Sequence, residues 1–190
     1  MADTATRPIP ARQRLLEAAD ELFYAEGVHT VGIDRVIERA GVAKASLYST
    51  FGSKDALVRA YLLGKHDAIA ANLGRARDLP LSPEERILAV FDLLGAMHEA
   101  PTFRGCPFVN ASGDAPDDGT VREVSTIHRD WVRGLFRELA TDARLREADA
   151  LARQLLLLYD GASIAAQLDR DPAAAASARR AAAALIAAAR

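Results

Sequence analysis

Residues 41–54 read Gly-Val-Ala-Lys-Ala-Ser-Leu-Tyr-Ser-Thr-Phe-Gly-Ser-Lys, and the reading of this stretch decides the fold. Gly41 closes the segment before it, Ile33 to Ala40, in which Ile33, Val36, Ile37 and Ala40 recur at helical spacing. Glycine takes positive φ without a steric penalty, so Gly41 suits the C-terminal cap of that helix. Lys44 to Phe51 then forms a second two-turn helix that turns Leu47 and Phe51 inward. Two short helices joined by three residues that include Gly describe a helix-turn-helix, here spanning about 33–51. Ser53 caps a following long helix, whose apolar stripe runs through Ala56, Leu57, Ala60, Tyr61 and Leu63 to about Ala76.

Working outward, Leu15, Ala18, Ala19, Leu22 and Phe23 predict a first helix over about 10–26, with Pro10 in its first turn and Gly27 as its stop. Downstream, Ser82 caps a helix to about Glu99, and a short one follows near Cys106 to Ser112. Longer helices are expected over about 120–141 and 144–169. The last is opened by Asp171 as N-cap with Pro172 in its first turn. The chain holds 40 alanines, 12 of them in 173–190, and few β-branched runs. Alanine is the best helix former, so the expected class is all-α, with about nine helices.

The 190 residues carry 24 basic and 26 acidic side chains, a net charge of −2, which excludes a chain coated in positive charge. Between Arg39 and Lys54, however, there are three basic residues and no acidic ones. A single Cys excludes an intrachain disulfide framework and a four-Cys zinc site. No apolar run is long enough to span a membrane, and the N-terminus has no signal-peptide core, so a soluble, cytoplasmic chain is expected. His29, His66, His98 and His128 lack metal-ligand spacing, and no phosphate loop, nucleophile elbow or paired-carboxylate motif occurs. No metal, cofactor or catalytic residue is expected.

The stretches RLLEAADELFYAEG and GIDRVIERAGVAKASLYSTFGSKDALV resemble the DNA-binding domain of the TetR family of bacterial regulators (TetR/AcrR type). The signature is the run from Gly41 to Lys54, and the likeness covers about 10–70. It implies an arm over 1–9, a three-helix DNA-binding head over 10–70, and a helical ligand-binding and dimerising body over 71–190. It also implies a repressor released from a palindromic double-stranded operator by a small molecule. A recognition helix needs short polar side chains toward the major groove and apolar anchors behind. Lys44, Ala45, Ser46, Tyr48, Ser49 and Thr50 supply that exposed face. By the resemblance, Tyr48 and Lys54 grip phosphates. One departure is Gly32, at the cap of the first helix of the pair, where the family usually has Ser or Thr; Arg35 on the same helix is a candidate replacement contact. The arginines of the N-terminal region, Arg7, Arg12 and Arg14, could reach the backbone or minor groove. The competing class is a helical-bundle enzyme or interaction module that does not bind DNA, which would account only for the residues beyond 70.

In the body, Phe91, Met97, Phe108, Asn110, His128, Trp131 and Tyr159 are candidate ligand contacts, since bundle pockets combine aromatics with a few polar groups. The ligand expected is apolar or aromatic. Homodimerisation is expected through the last two helices, with Leu151, Leu155, Leu158, Ala162 and Ala165 on one stripe and Ala178, Ala182, Leu185 and Ile186 on the other. Cys106, between Gly105 and Pro107, is either a packed residue at a helix start or a redox-sensing thiol activated by the helix dipole.

Overall fold

A computed structural model describes residues 9–114 and 119–190, with the side chain of Asp114 left out. The first eight positions of the expected arm, including Arg7, lie outside the described residues. Those residues hold nine α-helices and no strand: α1 (Ala11–Glu26), α2 (Ile33–Ala40), α3 (Lys44–Phe51), α4 (Lys54–Gly74), α5 (Pro83–His98), α6 (Pro107–Asp114), α7 (Gly119–Asp142), α8 (Ala148–Leu168) and α9 (Ala174–Ala188). A 3-10 turn, Arg75–Asp78, follows α4.

The first three helices and the front of α4 enclose one part of the core. Leu15, Ala19, Val36, Leu47 and Leu57 are all buried there. The edge of Phe23 meets the ring of Tyr61 at 5.6 Å, which packs α1 on α4. The remaining helices wrap a second part, where Phe91 of α5 stacks on Phe136 of α7 at 5.5 Å. Each of these rings, fully buried, contributes roughly 1.5–3 kcal/mol through lost apolar exposure. α4 belongs to both parts, so it is the beam that joins them. Farther along the chain, Arg59 of α4 meets Glu123 of α7 at 2.8 Å.

Side-chain caps open two of the helices, α4 and α5. Ser53 Oγ accepts from the Ala56 amide at 3.1 Å. Ser82 and Glu85 form a reciprocal capping box at the start of α5, with Pro83 in the first turn. Three boundaries differ from the sequence expectation. α4 gives way to 3-10 geometry at Arg75 rather than continuing to Ala76. α8 begins at Ala148, not near 144, because Arg144 and Glu147 both take left-handed backbone (φ 55° and 50°). α9 begins at Ala174, because Arg170 also turns left-handed and Asp171 Oδ1 accepts from the Ala173 amide at 2.8 Å, two residues further on than a first-turn Pro172 would require.

Of the two stripes assigned to dimer contact, Leu158, Ala165 and Leu185 are only half-buried. Leu151, Leu155 and Ala162 of α8 and Ala178, Ala182 and Ile186 of α9 are buried within the chain itself. The apolar side chains left facing outward on α8 are Leu157 and Leu168, at 67% and 72% exposure.

Candidate nucleic-acid interface

The turn between α2 and α3 is set by Gly41, whose φ of 61° lies in the left-handed region. Its amide and that of Val42 return to the last carbonyls of α2, and its own carbonyl accepts from Arg14 Nη1 at 2.9 Å. α1 thereby holds the turn from behind. Leu47 is fully buried beneath α3 and Phe51 is half-buried, with the Arg12 guanidinium 5.7 Å above the Phe51 ring.

These anchors leave Lys44, Ala45, Tyr48, Ser49 and Thr50 exposed on the opposite side, with Ser46 half-buried at its edge. Tyr48 is 48% exposed, so its ring and hydroxyl are open to a partner. Ser49 and Thr50 both donate to the Ser46 carbonyl, at 3.1 and 2.6 Å, leaving their oxygen lone pairs turned outward. The expected recognition face is therefore assembled as one surface.

Its charges are held by acidic neighbours. Lys44 Nζ bonds Asp34 Oδ1 at 2.8 Å, and this partner raises the Lys44 pKa above its ordinary value. Arg35 forks onto Glu26, and Arg39 meets Glu21 at 2.6 Å. Lys54 opens α4 with its stem partly buried, and that burial draws its pKa down. A cation beside unpaired helix-terminal amides forms a donor set suited to a phosphate. Gly32 caps α2 with ordinary extended backbone (φ −74°), and a Cβ built there meets nothing within 4 Å.

The ligand candidates separate. Phe91 is core, stacked on Phe136. Phe108 stacks on His128 at 4.1 Å, both buried, and His128 Nδ1 lies 3.3 Å from His66 Nδ1. Burial first, then the neighbouring His66, pushes the His128 imidazole down to about 3, so it is neutral. Trp131 packs against His66 and under the Arg77 guanidinium, which forks onto Glu138. Asn110 is engaged between the Arg104 carbonyl (3.0 Å) and Gln167 (2.7 Å). Met97, Tyr159 and Cys106 do share a cavity, with Tyr24, Lys65, His98 and Phe103, which the sequence offered no reason to group.

Cys106 sits just before Pro107, the first residue of α6, and the amides of Phe108 and Val109 do face its sulfur. Desolvation is the larger influence and pushes the thiol up, so the packing reading is favoured over an activated thiolate.

A short anchored helix with an exposed polar face, backed by a second across a glycine turn, defines a helix-turn-helix protein. The comparisons agree along the chain. Residues 15–61 match the family described as bacterial regulatory proteins, tetR family, and residues 83–182 match the tetracyclin repressor-like C-terminal domain. A TetR-family transcriptional regulator of Streptomyces coelicolor is 34% identical, with 94% of this chain and 95% of that one aligned at a TM-score of 0.84. A tetR transcriptional regulator of Streptomyces avermitilis is also 34% identical, with 95% and 98% aligned at a TM-score of 0.83. The transcriptional activator FasR of Mycolicibacterium smegmatis is 35% identical over 81 residues, 43% of this chain. The chain spans 37% of the length of that curated relative. This protein belongs to the TetR family. Its relatives are transcriptional regulators with a helix-turn-helix, not enzymes. None of the helices among the described residues is long and apolar enough to cross a membrane.

Proposed function

We propose that this protein is a homodimeric repressor that leaves a palindromic operator when a small apolar or aromatic molecule binds its body, and that it works in the cytoplasm, where DNA is accessible. The head is residues 10–70 and the body 71–190. The observation that carries the reading is the exposed face of α3, where Lys44, Ala45, Tyr48, Ser49 and Thr50 face outward while Leu47 is buried and Phe51 half-buried behind them. Lys44 and Ser46 address base edges or phosphates, Ala45 a thymine methyl, and Tyr48 and Lys54 the backbone. Gly32 and Arg35 contribute from α2 through a helix-terminal amide and a guanidinium.

One head covers only a few base pairs, so a two-fold dimer matched to a palindrome is required. Support for α8 and α9 as the dimer faces comes from exposed Leu157 and Leu168 and the outward alanines Ala181, Ala184 and Ala188. A gel-shift titration against the DNA upstream of the protein's own gene tests the reading. Lys44→Ala and Tyr48→Ala should each lower operator affinity about 10-fold to 100-fold. Unchanged affinity in both folded variants would overturn the placement of the recognition face. A monomeric mass by light scattering at micromolar concentration would overturn the dimer.

A further inference from the structure

A cavity of about 280 Å³ lies among α1, α4, α5, α8 and the 99–106 loop that joins α5 to α6. Ile69, Leu94, Met97, Phe103 and Tyr159 make most of its wall apolar. Thr102 and Ser163, whose hydroxyl donates to the Tyr159 carbonyl, are neutral wall residues, so the charge the cavity accepts turns on Lys65 and His98. The Lys65 ammonium is already committed: Nζ lies 2.7 Å from Asp20 and 4.4 Å from the Tyr24 ring centroid. An anion would have to share it with that carboxylate, and a cation would be repelled by it. His98 is neutral, because burial holds its imidazole below the ordinary range. Its Nδ1 is buried with no hydrogen-bond partner among the described residues. An orphaned ring nitrogen in an apolar wall is matched by a hydroxyl.

The same cavity touches the DNA-binding head. Tyr24 is a residue of α1, yet its ring forms part of the wall. Its hydroxyl donates to the Gly105 carbonyl and accepts from the Arg104 amide, both at 2.9 Å. The loop that edges the cavity is thus fastened to the head through one side chain. Behind it, Arg104, Asn110 and Gln167 continue the hydrogen-bonded chain to α8.

We infer that this cavity is the effector site, that it takes a neutral, largely apolar molecule carrying one hydroxyl, and that its occupancy reaches the head through the Tyr24 hydroxyl. The inference rests on the repressor reading and specifies its ligand class and its coupling. A ligand lodged against Tyr24 and Phe103 favours a loop position in which the two Tyr24 bonds are broken. Only such a difference in affinity between the two states can shift the equilibrium.

The test uses the full-length dimer with three probes of one ring system: 2-naphthol, 2-naphthoate and naphthalene. Calorimetry should show naphthol binding about tenfold tighter than either of the others. Ala68→Phe, which adds a ring at an exposed wall position of α4, and His98→Ala should each weaken naphthol binding at least about fivefold, with folding checked by circular dichroism. Naphthol should lower wild-type operator affinity, read by fluorescence anisotropy, about tenfold. Tyr24→Phe keeps the ring but should leave operator affinity within about twofold on adding naphthol. Naphthoate binding as tightly as naphthol, no naphthol binding at millimolar concentration, indifference to both wall variants, or wild-type release by Tyr24→Phe would each overturn the inference. Failure of the underlying reading looks different: ligand-free wild type would then show no salt-dependent operator binding.

Discussion

Lys44 and Asp34 face each other across the turn of the helix-turn-helix, with Nζ 2.8 Å from Oδ1, so the first cation of α3 is held by a carboxylate of α2. In the proposed complex, DNA displaces that carboxylate so that Lys44 can meet a base or a phosphate. Both side chains are well exposed, so the pair adds little to stability. Its larger effect is on binding, because Asp34 holds the ammonium that the proposed DNA contact would use. Asp34→Asn should tighten DNA binding about two- to fivefold at low salt, for operator and random sequence alike. In Asp34→Asn/Lys44→Ala the gain should vanish. Gel-shift titrations of the three variants decide it, and a gain that survives loss of Lys44 would rule out this competition.

Gly32 occupies the N-cap of α2 with backbone that any residue adopts, and its missing Cβ faces open space. A serine there can accept from an orphan amide of α2 and offer its hydroxyl to a phosphate. Gly32→Ser is therefore expected to add a few tenths of a kcal/mol. The Tm should rise by about 1 °C, and operator affinity by about two- to fivefold. A fall in both, in a scan and a titration, would show that the site needs glycine for close approach to DNA.

How far the fold could be read from residues depended on whether each feature is written locally. The helix-turn-helix was legible to the residue, because Gly41 marks a positive φ and Leu47 and Phe51 mark one buried side. The start of α8 was not, since Arg144 and Glu147 adopt left-handed backbone that their residue types do not announce. The inner and outer faces of α8 were not legible either, because Leu155 to Leu158 are four leucines in a row, a run with no period to reveal that Leu155 points in and Leu157 points out. Of the seven ligand candidates, Met97 and Tyr159 line the cavity, while Phe91 turned out to fill core. Tyr24 was invisible as a cavity residue, because its partners lie 80 and 81 residues away and no spacing rule connects them.

Gly105 takes φ 95°, and a Cβ built on it would sit 2.1 Å from the Gln167 side-chain amide. Both the backbone and the neighbour oppose any larger residue. Gly105→Ala should cost about 1–3 kcal/mol, seen as a Tm several degrees lower. Gln167→Ala in that background should recover the part due to the collision but not the part due to φ, so the double-mutant cycle separates the two. No coupling between the positions would mean the loop simply moves aside.

His128 provides a stability change with a definite sign. Buried against Phe108 and beside His66, its imidazole is held down at about 3, whereas the unfolded chain has an ordinary histidine near 6.5. Below about pH 6.5 the unfolded state binds a proton that the folded state refuses, so stability is full above that pH and is lost as the pH falls. The slope is about 1.4 kcal/mol per pH unit, or about 2 kcal/mol between pH 6.5 and 5. His98, also lowered by burial, acts in the same direction, as protonating carboxylates can at the acid end. Comparison with His128→Leu isolates the single group: urea unfolding at a series of pH values should give the variant a pH dependence shallower by about one proton. Parallel curves for variant and wild type would show that His128 is protonated in the folded protein, with the core around Phe108 open to water.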